Sequence, residues 1–544
     1  MRLFSFYLTL LIGTCLHAQK LVKDINIGAS GSSPIFQGSL SRGLVFSATT
    51  AAYGNEYWIT DGTNSGTYML KDIRPGFASS VIFNSSVVTN DMIYMVVADT
   101  MPVSYSLWRT DGTSSGTFQL MKLSSSMPVP DINKNELSGV NGKCIFSYGS
   151  SSNNKEIWVS DGTVAGTRQL KDIYPGASTG SNPYNLVATK NHVYFFADDG
   201  EHGYELWRTD GTDTGTILVK DIFPGTISSL QNIAQKTNMV ASENKVWFSA
   251  INDVVIGFEL FVSDGTDSGT QLVKDLNPFP YLNSSSFVAG ASDQFALVFF
   301  RNDTGNWLCA TDGTEKGTML VSDSNFITIP NTRNFIVSGK QIFFVQTDQA
   351  TGTELWSSDG TKSGTGLLID LAPGTASGAT GIMCANNGKV YFAGSNNIIG
   401  RELFVSNGFK GRTELYTDMF PGVFFGNFAS MMMHQDKLYA SANDNSGKGA
   451  ELYQFDLLTS IDNAVYSQSI LSIWPNPVKA GDFLKLGLSE DMPYRLTELS
   501  GRIIQSGFSR GSEIPIHSEI SSGLYIITIE TPQGAVSQTL QVGQ

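Results

Sequence analysis

Carboxylates recur in this chain at fixed intervals, and carboxylates are the groups that bind cations and move protons. An aspartate followed by Gly-Thr stands at Asp61, Asp111, Asp161, Asp210, Asp264, Asp312 and Asp359. A glutamate sits five residues earlier at Glu56, Glu156, Glu205, Glu259 and Glu354, and returns at Glu402 and Glu451. A second aspartate series runs through Asp24, Asp72, Asp172, Asp221, Asp275, Asp323, Asp370 and Asp418. Calcium ligation is the first chemistry to weigh, because Asp and backbone carbonyls are hard oxygen ligands. Each Asp-Gly-Thr loop brings one regular carboxylate, whereas calcium takes about six to eight oxygens. No metal or other cofactor is therefore assigned, with calcium in these loops as the alternative. Carboxylates present in nearly every unit cannot mark one active site. Paired acids for glycoside hydrolysis meet only in the fold, so that chemistry stays open.

Other catalytic signatures are missing from the sequence. His192, His202, His434 and His517 show no metal-ligand spacing. There is no G-x-S-x-G elbow and no Walker loop. No unit gathers Arg, Tyr and Glu in the manner of a sialidase. The residues assign no enzyme, and a non-catalytic role is the stronger expectation.

Aromatic residues form the other regular series. Trp58, Trp108, Trp158, Trp207 and Trp356 stand three residues before the Asp-Gly-Thr aspartate, Phe261, Phe404 and Tyr453 hold the same slot elsewhere, and Cys309 replaces it once. A ring at one strand position in every unit reads as packing between units, against the alternative of a ring of sugar-stacking tryptophans. A further set collects where units end: Phe77, Tyr174, Tyr184, Phe223, Phe279, Tyr281, Phe326, Phe420 and Phe424. These are the candidate ligand-binding residues. Exposed rings there stack on sugars or meet a partner protein; packing between units is the competing reading.

The elements that must carry these residues are short strands. The stretch around Asp210 reads NLVATKN, HVYFFADD, GYELWRTDG and TILVKDIFPG, four β-branched and aromatic runs parted by turn residues. Four strands in about 45 residues is the pattern of a propeller blade. Asp accepts hydrogen bonds from N–H groups two or three residues on, and Gly tolerates positive φ, so DGTxxGT is a self-capped hairpin between the third and fourth strands. Pro-Gly stops the fourth strand at Pro75, Pro175, Pro224, Pro373 and Pro421. The aspartate before it is expected to hold the turn by side-chain-to-backbone bonds.

The ends of the array complete each other. KLVKDINIG near the start matches only the last part of a unit, and GAELYQFDL near residue 450 only the first part. A solenoid would need caps; two complementary halves close a ring. The expected fold is all-β: a propeller of eight to nine four-stranded blades, nine by repeat count, closed by the N-terminal strand. The usual range is about four to eight blades.

The repeats, of the form ELWxxDGTxxGTxxLVKDIxPG, resemble the ELWxxDGT-repeat proteins of Bacteroidetes type over residues 20–458. That resemblance implies no settled activity. The DGT turn also looks like the Asp-box of sialidase-type propellers, where it is structural.

After a polar linker, 459–469, residues 470–544 read as a small β-sandwich. Pro475, Asn476 and Pro477, then Ser500, Gly501 and Arg502, then Gly523, Leu524 and Tyr525 resemble the type A sorting domain of type IX secretion. Glu498 stands where Asp is commoner, and the chain ends QVGQ without the frequent terminal Lys. The resemblance implies passage through the periplasm and across the outer membrane. It also implies removal of the domain by the C-terminal peptidase of that machinery, with release or surface attachment.

Composition agrees with export. Arg2 followed by the apolar Leu3–Leu16 reads as a signal peptide within residues 1–19, cleaved near Ala18 or Gln19. Thr14 before Cys15 departs from the small residue of a lipidation motif. No second hydrophobic span follows, so no transmembrane segment is expected. A net charge of -14 with no basic run disfavours nucleic acid. Cys144, Cys309 and Cys384 read as small buried hydrophobes. The function these features imply is an exported repeat protein that binds a glycan or protein partner. A polysaccharide-active enzyme and an envelope scaffold are the alternatives.

Overall fold

The structure is a computed structural model. It describes residues 19–543 except 100–103, 124–136, 150, 152, 177, 231–238, 253–257, 277–285, 303–304, 323–334, 397–398, 421–425, 427, 458–472, 475–477, 487–492, 499–501, 510–512 and 532–533. The signal-peptide reading therefore lies outside the described residues. The chain divides into two compact units, residues 1–456 and 457–544.

The first unit is a nine-bladed β-propeller. Its strands form nine four-stranded antiparallel sheets, eight of them in simple meander order. Blade 1 runs Ile35–Leu40, Gly43–Thr50, Gly54–Thr60 and Tyr68–Lys71. Blades 2 to 8 repeat that plan, ending with the outer strand Thr413–Thr417 of blade 8. The first strand of each blade touches the first strand of the next, and that of blade 9 touches that of blade 1, so the inner strands close a ring.

Blade 9 shows how the ring is shut. Its first three strands are Ser430–His434, Lys437–Ala442 and Glu451–Asp456. Its outer strand is Gln19–Lys23 from the other end of the chain, paired antiparallel with Leu21 opposite Tyr453. This is the pairing that the two half-repeats implied.

Each sheet lies between two others, so its central strands are buried on both faces. Val193–Ala197 is buried at every residue, which explains why that strand reads VYFFA without alternation. The outer strand is irregular. Leu206 faces Lys220 but Trp207 faces Leu218, leaving Val219 as an extra residue. The same shift recurs at Tyr57/Trp58 and Leu355/Trp356. This bulge turns the Leu or Val of the LVK motif inward: Leu70, Val219 and Leu368 are all buried.

The second unit holds a five-stranded and a three-stranded sheet. Between them lies an apolar core that includes Leu484, Leu496, Ile514, Ile527 and Leu540. This is the expected small sandwich.

Candidate functional site

The repeated residues are spent on the scaffold. Glu205 is fully buried, and its carboxylate gathers the exit of its own blade. The N–H groups of Ile222 and Ser229 donate to it at 2.9 Å each, and that of Phe223 at 3.4 Å. Glu156 does the same for Ile173, Tyr174 and Ser181. In blade 9, Glu451 takes Ile25 N–H and the Ser32 hydroxyl from the N-terminal segment. Burial pushes these carboxyls up: Glu56, Glu354 and Glu402 to about 7, Glu205 to about 8.

The Asp-Gly-Thr turn is built as its residue types imply. Thr63 donates both its N–H (2.8 Å) and its hydroxyl (2.7 Å) to Asp61 Oδ1. Gly66 N–H donates to Thr63 Oγ1 at 2.9 Å, and Thr67 Oγ1 donates to Thr63 O at 2.6 Å. Gly62 has φ 87°, and a Cβ on Gly66 would lie 2.1 Å from the Asp61 carboxylate. Both glycines are thus demanded by geometry. The Thr63 hydroxyl holds the Asp61 carboxyl below its ordinary range, and Thr163, Thr212, Thr266 and Thr314 do so for their aspartates.

The tryptophans pack between blades. Trp108 of blade 2 joins Val45, Tyr57, Ile59 and Leu70 of blade 1, and Trp207 of blade 4 joins Ile157 and Leu170 of blade 3. The lysine of LVKD, which sequence reading left without a role, ties the same seam. Lys71 lies over the Trp108 ring at 5.5 Å and donates to Thr117 O at 3.1 Å in the next blade's turn. Lys220 reaches Thr270 O at 3.0 Å, and Lys23 reaches Thr67 O at 2.6 Å.

The second aspartate behaves less uniformly than expected. Asp221 does cap its turn, accepting from Gly225 N–H at 3.2 Å. Elsewhere its charge acts on the neighbouring glutamate: after burial itself, Asp370 adds to the upward push on Glu354.

The blade-end aromatics divide. Phe77 is 86% exposed. Tyr174, Phe223 and Phe420 are half-buried, and Tyr174 lies against Gly200, where a Cβ would come within 2.6 Å of its ring. Tyr184 is buried at the seam of blades 4 and 5, its ring centroid 5.8 Å from Phe196 and 6.1 Å from Tyr204. Its ring is core packing and is not offered to solvent. Phe279, Tyr281, Phe326 and Phe424 lie outside the described residues.

The histidines stay apart. His192 Nε2 meets Arg208 at 3.0 Å, His202 Nδ1 meets Asp199 at 2.8 Å, and His434 Nδ1 meets Ser39 at 2.7 Å. Among the described residues, no three His, Cys, Asp or Glu side chains gather as a metal site. Cys144, Cys309 and Cys384 are buried free thiols.

What the ring does create is a central opening. Inner strands of blades 3 to 7 line a cavity of about 440 Å³ whose walls include Leu137, Val187, Val240, Phe335 and Val337. The sequence does not show it, because inner-strand residues look like any other strand residues until nine strands set the radius.

In the second unit, Arg502 grips Glu498 through both carboxylate oxygens, at 3.1 and 2.5 Å. The glutamate thus forms the bidentate pair available to an aspartate. The Tyr525 hydroxyl donates to Ser521 O at 2.8 Å, and Leu524 is exposed. Pro475, Asn476, Pro477 and Gly501 lie outside the described residues.

These features define a nine-bladed propeller joined to a sandwich tail. Residues 472–542 match the secretion system C-terminal sorting domain, which marks the chain for export by type IX secretion. No curated protein matches the chain. Among solved structures, it is similar to the β-propeller domain of the Trilobed protease from Pyrococcus furiosus (10% identity, 71% of this chain, 96% of that one, TM-score 0.34). It is also similar to a GH74 xyloglucanase from Xanthomonas campestris (12%, 97% and 88%, 0.35). A puromycin hydrolase is similar at 12% identity and TM-score 0.36 over 66% of this chain; the match spans only 58% of the hydrolase. At such identities the likeness does not carry activity across. Among the described residues no helix is long and apolar enough to cross a membrane.

Proposed function

We propose that this chain is an exported ELWxxDGT-repeat protein whose propeller binds a glycan or protein partner at or beyond the cell surface. One observation carries the reading: the repeated glutamates and the Asp-Gly-Thr aspartates are committed to backbone donors, while the rest of the surface offers the exposed Phe77 ring and a central opening of about 440 Å³ lined by apolar side chains. Rings and apolar walls hold ligands by stacking and burial; they do not move protons. Tyr174, Phe223 and Phe420, at the Pro-Gly turns of other blades, are half-buried. The test is a glycan array run beside turnover assays on the same glycans. Retained binding without turnover is expected, and turnover without retained binding overturns the proposal.

Export rests on the tail. Type IX secretion delivers the chain from the periplasm to the outside, and the machinery's C-terminal peptidase then removes the sandwich. Deleting residues 470–544 is expected to leave the propeller in the periplasm. Unchanged appearance outside the cell would overturn the assignment.

A further inference from the structure

Blade 6 breaks the repeat, and the break leaves a cavity. Its third strand, Gly305–Thr311, carries Cys309 where blade 4 carries Trp207. The register confirms the equivalence: Cys309 lies opposite Val298 as Trp207 lies opposite Phe195. Two more positions are changed beside it. In blades 1 and 4 a small residue faces the buried glutamate, Ala48 opposite Glu56 and Ala197 opposite Glu205. In blade 6 the same pair is Phe300 opposite Trp307. Blade 6 has therefore lost the aromatic ring that fills the seam, an indole in five of the other blades, and has replaced the carboxylate beside it with two aromatic walls.

The preceding blade keeps the lysine that spans the other seams, where the slot holds an aromatic ring. In the seam of blades 1 and 2, Lys71 lies over Trp108 and donates to Thr117 O. In the seam of blades 5 and 6, Lys274 makes the matching bond to Thr318 O at 3.3 Å, above a position now held by a thiol. The result is a cavity of about 350 Å³ lined by Lys274, Phe300, Trp307, Cys309 and Leu320, among others. Leu320 is 41% exposed and Trp307 half-buried, so the cavity opens to solvent. An apolar cavity of only about 150 Å³ already takes up benzene.

We propose that the seam between blades 5 and 6 is a binding site for a small planar aromatic compound of indole size, seated beneath the Lys274 ammonium and against Trp307 and Phe300. The ligand restores the contact that a tryptophan of the chain makes elsewhere. The ammonium attracts the ring face, and the flanking aromatic walls favour edge-to-face or offset stacking. Cys309, 4% exposed at the cavity wall, reports occupancy. This site is independent of the propeller face, so either assignment can fail alone.

Indole is the probe, on the full chain. With a dissociation constant of about 0.5 mM, reasonable for a fragment of this size, 5 mM indole is expected to slow methanethiosulfonate labelling of Cys309 about tenfold and raise the melting midpoint by about 1–2 °C. Labelling of the buried Cys144 and Cys384 is the internal control, since neither borders the cavity. Cys309→Trp is expected to fill the site, remove the thermal response to indole and melt higher than the parent. Lys274→Met is expected to weaken binding about threefold to fivefold. Unprotected Cys309 in the parent chain overturns the proposal even if Cys309→Trp fails to fold. So does an equal indole response in parent and Cys309→Trp.

Discussion

Glu205→Ala will destabilise the propeller by about 3–5 kcal/mol, among the largest effects available to a single side chain here. The substitution removes no surface charge, since Glu205 is fully buried. It strands the N–H groups of Ile222, Phe223 and Ser229. Each buried donor left without an acceptor costs about 1–3 kcal/mol, partly recovered if water enters. Glu205→Gln keeps the shape but turns an NH₂ group toward N–H donors, so it recovers only part of the loss. A denaturant melt of each variant decides; a loss under about 1 kcal/mol for Glu205→Ala would show that the exit turn holds itself.

The same residues set a pH optimum. A carboxyl raised in the folded state favours folding while protonated. Its contribution is complete below the ordinary value of 4.5 and is lost as pH rises through the folded value. For Glu56, Glu354 and Glu402 that window runs from 4.5 to about 7, and for Glu205 to about 8. While titrating, each glutamate removes up to about 1.4 kcal/mol per pH unit. The Asp-Gly-Thr turns pull the other way. Asp61, Asp161 and Asp210 are lowered by their threonine hydroxyls, so their contribution is present above 3.8 and lost on acidification. The melting midpoint is expected to peak near pH 5 and fall toward pH 8, with a shallower alkaline limb in Glu205→Gln. A midpoint that is flat or rises from pH 5 to 8 contradicts this.

What was legible in the sequence follows the range of each interaction. The Asp61 turn closes within seven residues, so its residue types state its geometry. The blade count and the clasp were legible because repetition makes a missing half visible: Lys20–Asp24 lacks a front and Glu451–Asp456 lacks an end. The glutamate's role was hidden because its partners are backbone N–H groups 17 to 25 residues on, which leave no residue signature. A trace existed in the serines that also bond it, Ser80 after Glu56 and Ser181 after Glu156. The lysine of LVKD was hidden for a different reason: its partner, Thr117 O for Lys71, belongs to the next blade. The aromatic blade-end set mixed two environments: Phe77 follows a Pro-Gly turn and is exposed, whereas Tyr184 opens an inner strand and is buried.

Removing the clasp is expected to cost more than removing any one pin. Deleting residues 19–26 takes the outer strand from blade 9 and leaves Glu451–Asp456 as an open edge. Val22 and Ile25 are 2% and 9% exposed in the intact ring, and burying such side chains stabilises by about 1.5–3 kcal/mol each. Lys23 would no longer tie blade 9 to the turn of blade 1, and Glu451 would lose Ile25 and Asn26 as donors. Gln19 also accepts the Thr417 hydroxyl of blade 8 at 2.8 Å, so the strand touches three blades. The sum is on the order of 5 kcal/mol or more, before any water enters the seam. The effect should also be local at first, because blades contact mainly their neighbours. Hydrogen exchange should therefore show blades 9 and 1 losing protection well before blades 4 and 5. A deletion that melts like the parent, or that exposes all blades together, would mean that the ring of inner strands holds the circle closed without its clasp.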